Sequence, residues 1–248
     1  MHLAGHGESP RPRNFVYMGL KDLSRDLQVA LDYIFFDDTS ALEPVLVAHS
    51  SGGAMAQYTL VNSDPDDEPL ISGLVLLASI PPFGMRKVLA AWTRLDPWYI
   101  PRVLRDMGDL RSALSTPSLV RRVLFGAHTP RRVVQEFIGV CMNHEETVSW
   151  MRDMVFRYVE PQEVKAKVPR GRVLCVGGDQ DALVTPDIVQ DTASEYGVGA
   201  VYVRPAGVFS LVHPTLAHFA SPGHHIQNDV SWREAADVVL NKMGEWGL

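Results

Sequence analysis

The chain has 248 residues, 46% of them hydrophobic, which suits one domain with a sizeable core and a subdomain. A net charge of −6 argues against nucleic acid or an anionic membrane as a main partner. Two cysteines, Cys141 and Cys175, offer no disulfide framework and fit a reducing, cytoplasmic compartment. The first residues lack the basic and apolar segments of a signal peptide, and no run approaches the ~18 apolar residues of a membrane span.

In chain order, Gly5-His6-Gly7-Glu8-Ser9-Pro10 opens on a glycine-rich turn. Leu23, Leu27, Leu31 and Ile34 recur at helical spacing and predict a helix over Leu20–Phe36. Pro44–Ala48 reads as a strand, Gly52–Asn62 as a helix, and the segment from Asn62 to Pro69 as a solvated acidic turn. Gly73–Ala78 is a second strand. From Pro81 to about Pro169 the pattern is helical, over Met85–Leu95, Ile100–Leu114, Ser118–Phe125, Pro130–Met142 and Glu145–Val159. Strands at Arg172–Val176 and Ala200–Val203 flank a helix at Pro186–Tyr196, and Trp232–Trp246 closes the chain as a helix.

The four strands are continuous apolar runs, as expected where helices cover both faces of a sheet. Strands alternating with helices predict an α/β fold with a parallel sheet. Residues 1–80 and 170–248 then form the core, and residues 81–169 a helical insertion. Its aromatic and methionine content, with Phe83, Trp92, Trp98, Phe125, Phe137 and Trp150 among others, reads as a lid over an apolar substrate pocket. Residue by residue, packing inside the insertion accounts for the same side chains.

The most informative stretch is Leu46-Val47-Ala48-His49-Ser50-Ser51-Gly52-Gly53. A serine between a buried strand and a helix, with small residues around it, is a nucleophile elbow of the form G-x-S-x-G, with Ala48 at the first glycine position. The turn must be sharp to lift the hydroxyl off the sheet. The helix that follows directs its N-terminal amides toward negative charge developing there.

A serine hydroxyl needs a base, and the base needs a carboxylate to hold it. The third strand runs into Gly177-Gly178-Asp179-Gln180-Asp181, which puts an acid at the carboxyl end of the sheet. Asp181 is preferred to Asp179, which lies within the turn itself, although either could cap the next helix. The base follows in Ser221-Pro222-Gly223-His224-His225-Ile226-Gln227-Asn228-Asp229. His224 is preferred to His225 because Gly223 lets the loop approach the site closely. His213 and His218 read as surface histidines, and Cys175, in an apolar run, as an inert core residue.

With these residues in hand, the chain resembles the α/β-hydrolase fold superfamily, in its capped serine-hydrolase branch, over nearly its whole length. The loop from Gly223 to Asp229 followed by Trp232 is similar to the histidine loop of fungal-type members. The resemblance implies hydrolysis of an ester, thioester or lactone of an apolar small molecule, a step suited to secondary metabolism. Ser50, His224 and Asp181 would form the catalytic triad, and the Ser51 amide would serve as oxyanion donor. It implies no cofactor and no metal.

One departure is at the start. Gly5-His6-Gly7-Glu8-Ser9 looks like the family's turn after strand four, and the 43 residues from Gly7 to Ser50 hold one helix and one strand. The first four strands and the oxyanion loop are then expected to be missing, which leaves the strand before Ser50 at an edge open to self-association. The alternative function is a non-catalytic member of the fold.

Overall fold

The computed structural model describes residues 3–5, 8–37, 43–63, 71–106, 114–127, 129–141, 147–203 and 223–248. Helix α1 (Leu20–Asp37) precedes strand β1 (Val45–His49), and α2 (Ser51–Asn62) leads to β2 (Gly73–Leu77). Six helices follow among the described residues: α3 (Arg86–Leu95), α4 (Tyr99–Arg105), α5 (Pro117–Leu124), α6 (Arg131–Cys141), α7 (Val148–Asp153) and α8 (Pro161–Ala166). The chain then returns to β3 (Val173–Gly178), α9 (Pro186–Tyr196), β4 (Ala200–Val203) and α10 (Trp232–Glu245).

The strands form one parallel sheet in the order β1-β2-β3-β4. Every residue of β2 and β3 is buried, as unbroken runs such as Gly73-Leu74-Val75-Leu76-Leu77 require. The same expectation fails for β1, where Val47 is 47% exposed. Among the described residues β1 pairs with β2 alone and no strand precedes it, so β1 is an edge strand, as β4 is at the other side of the sheet. The core draws on both sides of the sheet, joining Leu60, Leu74, Leu76, Val176 and Ile188.

Several elements differ from the sequence reading for local reasons. Strand β3 continues through Gly177 and Gly178, which pair with Tyr202 and Val203 of β4, and α9 packs so near that a Cβ on Gly177 would stand 2.7 Å from Val189. On α1, Leu20, Leu23 and Leu31 are buried, but Ile34 turns out to solvent at 42%. The helix expected over Glu145–Val159 ends at Asp153. Beyond it the backbone leaves helical pairing to bond the insertion's entry: Met85 N–H donates to Met154 O at 2.8 Å, and Tyr158 N–H donates to Pro82 O at 3.2 Å. Pro161 then starts α8. The fourth helix is shorter than expected, ending at Arg105. The acidic turn at 64–69, His6 and Gly7, and the loop carrying His213 and His218 lie outside the described residues.

The insertion is also fastened to the start of α1. Asp153 Oδ2 accepts from Leu20 N–H at 3.0 Å, and Thr147 Oγ1 donates to Met18 O at 2.6 Å. Asp153 therefore meets one of the amides that a helix N-terminus leaves unpaired.

Candidate active site

Strand β1 ends at His49 and the chain reverses into α2 at Ser50, with φ 52° and ψ −124°. A non-glycine residue in such a region carries about 1–3 kcal/mol of strain. Three backbone hydrogen bonds hold it there. Ser50 N–H donates to Leu77 O at 3.1 Å, and Ser50 O accepts from Gly53 N–H and Ile80 N–H, each at 3.0 Å. The demand for small residues falls on Gly53, where a Cβ would stand 2.0 Å from Ser79 Oγ, while one on Gly52 would meet nothing within 4 Å. Ala78, at the end of the neighbouring strand, also has positive φ. Ser51 opens α2, so its amide has no intrahelical acceptor.

The structure brings Ser50, His224 and Asp181 into one line. His224 Nε2 lies 2.8 Å from Ser50 Oγ, and His224 Nδ1 lies 2.8 Å from Asp181 Oδ2. His224 and Asp181 are both buried. An ionised carboxylate only accepts, so Nδ1–H donates to Asp181 and Nε2 is left to accept the Ser50 hydroxyl proton. The other carboxylate oxygen is occupied too: Asp181 Oδ1 accepts from Leu183 N–H at 2.8 Å and Val184 N–H at 3.0 Å. The carboxylate that meets His224 is thus Asp181 and not Asp179. Its turn-holding role and its contact with His224 coexist on separate oxygens.

Gly223 is crowded, though by the backbone of the insertion and not by the Ser50 turn that the sequence reading had in view. A Cβ there would stand 2.4 Å from the Phe125 carbonyl carbon and 2.7 Å from Gly126 N. His225 points elsewhere. Its ring meets His49 at 4.8 Å, Phe137 edge-on at 4.5 Å and Phe125 at 6.1 Å, and its Nδ1 accepts from Asn228 Nδ2 at 2.9 Å. Burial, and then the neighbouring His224, push the His225 pKa down to about 4.

Two supports were not legible in the sequence. His49 Nε2–H donates to the carbonyl of His224 at 2.9 Å, bracing the histidine loop from the nucleophile strand. Burial, followed by His224 and His225, holds His49 well below its usual pKa, so it stays neutral. The only sequence signal was its position immediately before Ser50. Gln57, fully buried on α2, donates to Gly53 O at 2.9 Å and Ile80 O at 3.1 Å, and accepts from Tyr196 Oη–H at 2.6 Å. It pins the elbow to the turn after β2 and to α9.

Of the insertion's aromatics, Phe125, Phe137 and Trp150 are buried, whereas Trp98 and Phe156 are exposed. A groove of ≈ 670 Å³ lined by Phe83, Lys87, Asp191, Ser194 and Glu195 includes none of the Ser50 group. Cys175 is buried, and burial pushes its thiol up to about 12, which fits an inert core residue. Among the described residues no three His, Cys, Asp or Glu side chains are grouped to hold a metal ion. No helix among them is long and apolar enough to cross a membrane.

The sequence profile of the alpha/beta hydrolase family matches residues 2–222. The chain belongs to the alpha/beta hydrolase family. Its fold is similar to that of several solved hydrolase-fold proteins at low identity. One is among the carboxylesterases of the thaumarchaeon Nitrososphaera gargenis, at 13% identity and TM-score 0.64, over 99% of this chain and 79% of that one. Another is the esterase EaEST from Exiguobacterium antarcticum, at 16% identity and TM-score 0.57, over 97% of this chain and 78% of that one. A third is a bromoperoxidase from Bacillus anthracis, at 14% identity and TM-score 0.62, over 97% of this chain and 79% of that one. At these identities the likeness establishes the fold, and the different activities named show why the fold alone does not choose a substrate. No curated protein sequence matches the chain.

Proposed function

We propose that this alpha/beta hydrolase cleaves an ester, thioester or lactone of an apolar small molecule through a Ser50-His224-Asp181 triad. The observation that supports this best is the unbroken relay, 2.8 Å from Ser50 Oγ to His224 Nε2 and 2.8 Å from His224 Nδ1 to Asp181 Oδ2. In this reading Ser50 Oγ attacks the acyl carbon while its proton passes to His224 Nε2. Negative charge gathers on the acyl oxygen, and the Ser51 amide at the start of α2 meets it. Collapse breaks the bond to the leaving oxygen or sulfur, which takes the proton from His224. A water then attacks the acyl group on Ser50 with His224 again accepting a proton. The acid departs and Ser50 regains its hydrogen. Asp181 keeps the imidazole in the required tautomer throughout.

The helical insertion serves as a lid. Phe125 and Phe137 of the insertion pack on His225, the residue that follows the proposed base. The aromatic and methionine content of the insertion favours an apolar ester over a charged substrate.

A fluorophosphonate probe tests the reading. Wild type is expected to form a covalent adduct at Ser50, and Ser50→Ala to form none. Equal labelling of the two overturns the assignment, and a folded wild type that never labels supports the non-catalytic alternative.

A further inference from the structure

Asp229 lies five residues beyond His224 and is 2% exposed. Burying a carboxylate is costly unless its lone pairs are met, and here four donors meet them. Oδ2 accepts from Gly126 N–H and from Gly223 N–H, each at 2.8 Å. Oδ1 accepts from the Thr129 hydroxyl and, at 2.7 Å, from Val230 N–H. Gly126 and Thr129, the latter fully buried, form the corner between α5 and α6 in the insertion. Gly223 immediately precedes His224. A single carboxylate therefore joins the insertion to the loop that carries the base.

The same corner holds that loop at two further points. His225 N–H donates to Leu124 O at 2.8 Å, and the backbone of Phe125 and Gly126 crowds Gly223. A side chain needed only to shape its own loop would require the Gly223 and Val230 amides and nothing from the insertion. Two of the four donors come from about a hundred residues away, at separations of 103 and 100.

We propose that Asp229 is a positioning residue that transmits the place of the α5–α6 corner to His224, so that the insertion and the base move as one unit. This inference rests on the reading of Ser50, His224 and Asp181 as a hydrolytic relay. Asp229→Asn keeps the volume but turns one carboxylate oxygen into a donor facing donors. Thr129→Val keeps the shape and cuts only the insertion's side-chain link.

The experiment measures the rate of fluorophosphonate labelling against pH in wild type, both single variants and the double variant. The rate is expected to fall about ten- to a hundred-fold in Asp229→Asn, since small misplacements of a catalytic group have effects of that order. It falls by less in Thr129→Val, and the double variant is no slower than Asp229→Asn because both changes act through one link. The pH midpoint of labelling shifts in each, which lost stability alone would not cause. A folded Thr129→Val with the wild-type rate and midpoint overturns the proposal, whether or not Asp229→Asn folds, and so do additive losses. If wild type does not label, the hydrolase reading fails, and the inference is judged on the His224 imidazole by nitrogen NMR. Its titration must differ between wild type and Thr129→Val, and identical curves overturn it.

Discussion

Two histidines flank His224 in states that carry no charge at neutral pH. His225 is held down to about 4, and His49 well below its ordinary value, by burial first and by neighbouring histidines second. In the unfolded chain both return to about 6.5. Between those values the unfolded state binds more protons than the native one, so stability rises with pH across this window and is lost on acidification. The slope is at most about 1.4 kcal/mol per pH unit for each histidine. Urea midpoints at pH 7.5 and pH 5 should therefore diverge in wild type and converge partly in His225→Phe, whose ring keeps the contacts with Phe125 and Phe137. Parallel behaviour of the two proteins would contradict this. Ser50 was legible because a sharp turn demands small neighbours; a close approach at Gly223 was legible too, but not its partner, the backbone of Phe125 and Gly126. His49 was illegible because its acceptor, the carbonyl of His224, is 175 residues away.

Helix α2 shows how an element is fixed by one polar side chain. Gln57 joins Gly53, Ile80 and Tyr196, and also donates to Tyr158 Oη at 3.0 Å. Replacing it with Leu leaves the Tyr196 hydroxyl buried without its acceptor, a loss of about 1–3 kcal/mol. Denaturant unfolding of Gln57→Leu should show that decrease, and an unchanged midpoint would mean the network is idle. Nothing in the pattern Gly52-Gly53-Ala54-Met55-Ala56-Gln57 predicted it, since an amide on an otherwise apolar helix reads as a surface position. Strand and helix identities were readable because the runs are long and apolar. Ends were less so, because β3 is prolonged by pairing with β4 and α7 is cut short by pairing with the segment Pro82–Met85.

At the scale of the whole molecule the sheet has a well-covered interior and, among the described residues, two edge strands, β1 and β4, of which β1 pairs with β2 alone and carries the chain to Ser50. Val47 on that strand, with Val29 and Tyr33 on α1, is exposed. An apolar edge of this kind is open to strand addition, and we propose that a second copy of the chain occupies it. Light scattering behind size exclusion should then find wild type as a dimer or larger at micromolar concentration, and Val47→Lys shifted toward monomer. A wild type that stays monomeric at every concentration would end the proposal. The edge position was legible because residues 1–19 offer no strand-like run beyond Phe15-Val16-Tyr17-Met18, and these begin with a 3-10 turn.

The short bridge between Pro82–Met85 and Met154–Tyr158 brings the two ends of the helical insertion side by side. In engineering terms the insertion is a cassette with a closed neck, a shape that can be excised or exchanged with little strain on the sheet. Such an exchange would also remove Gly126 and Thr129, and with them half of the donors on Asp229. On the proposal above, a grafted segment that restores the neck but not that corner would recover the fold while leaving the His224 loop without those two donors. In the proposed reading, an exchanged insertion would carry away both the lid and part of the support of His224, so the two could not be traded separately.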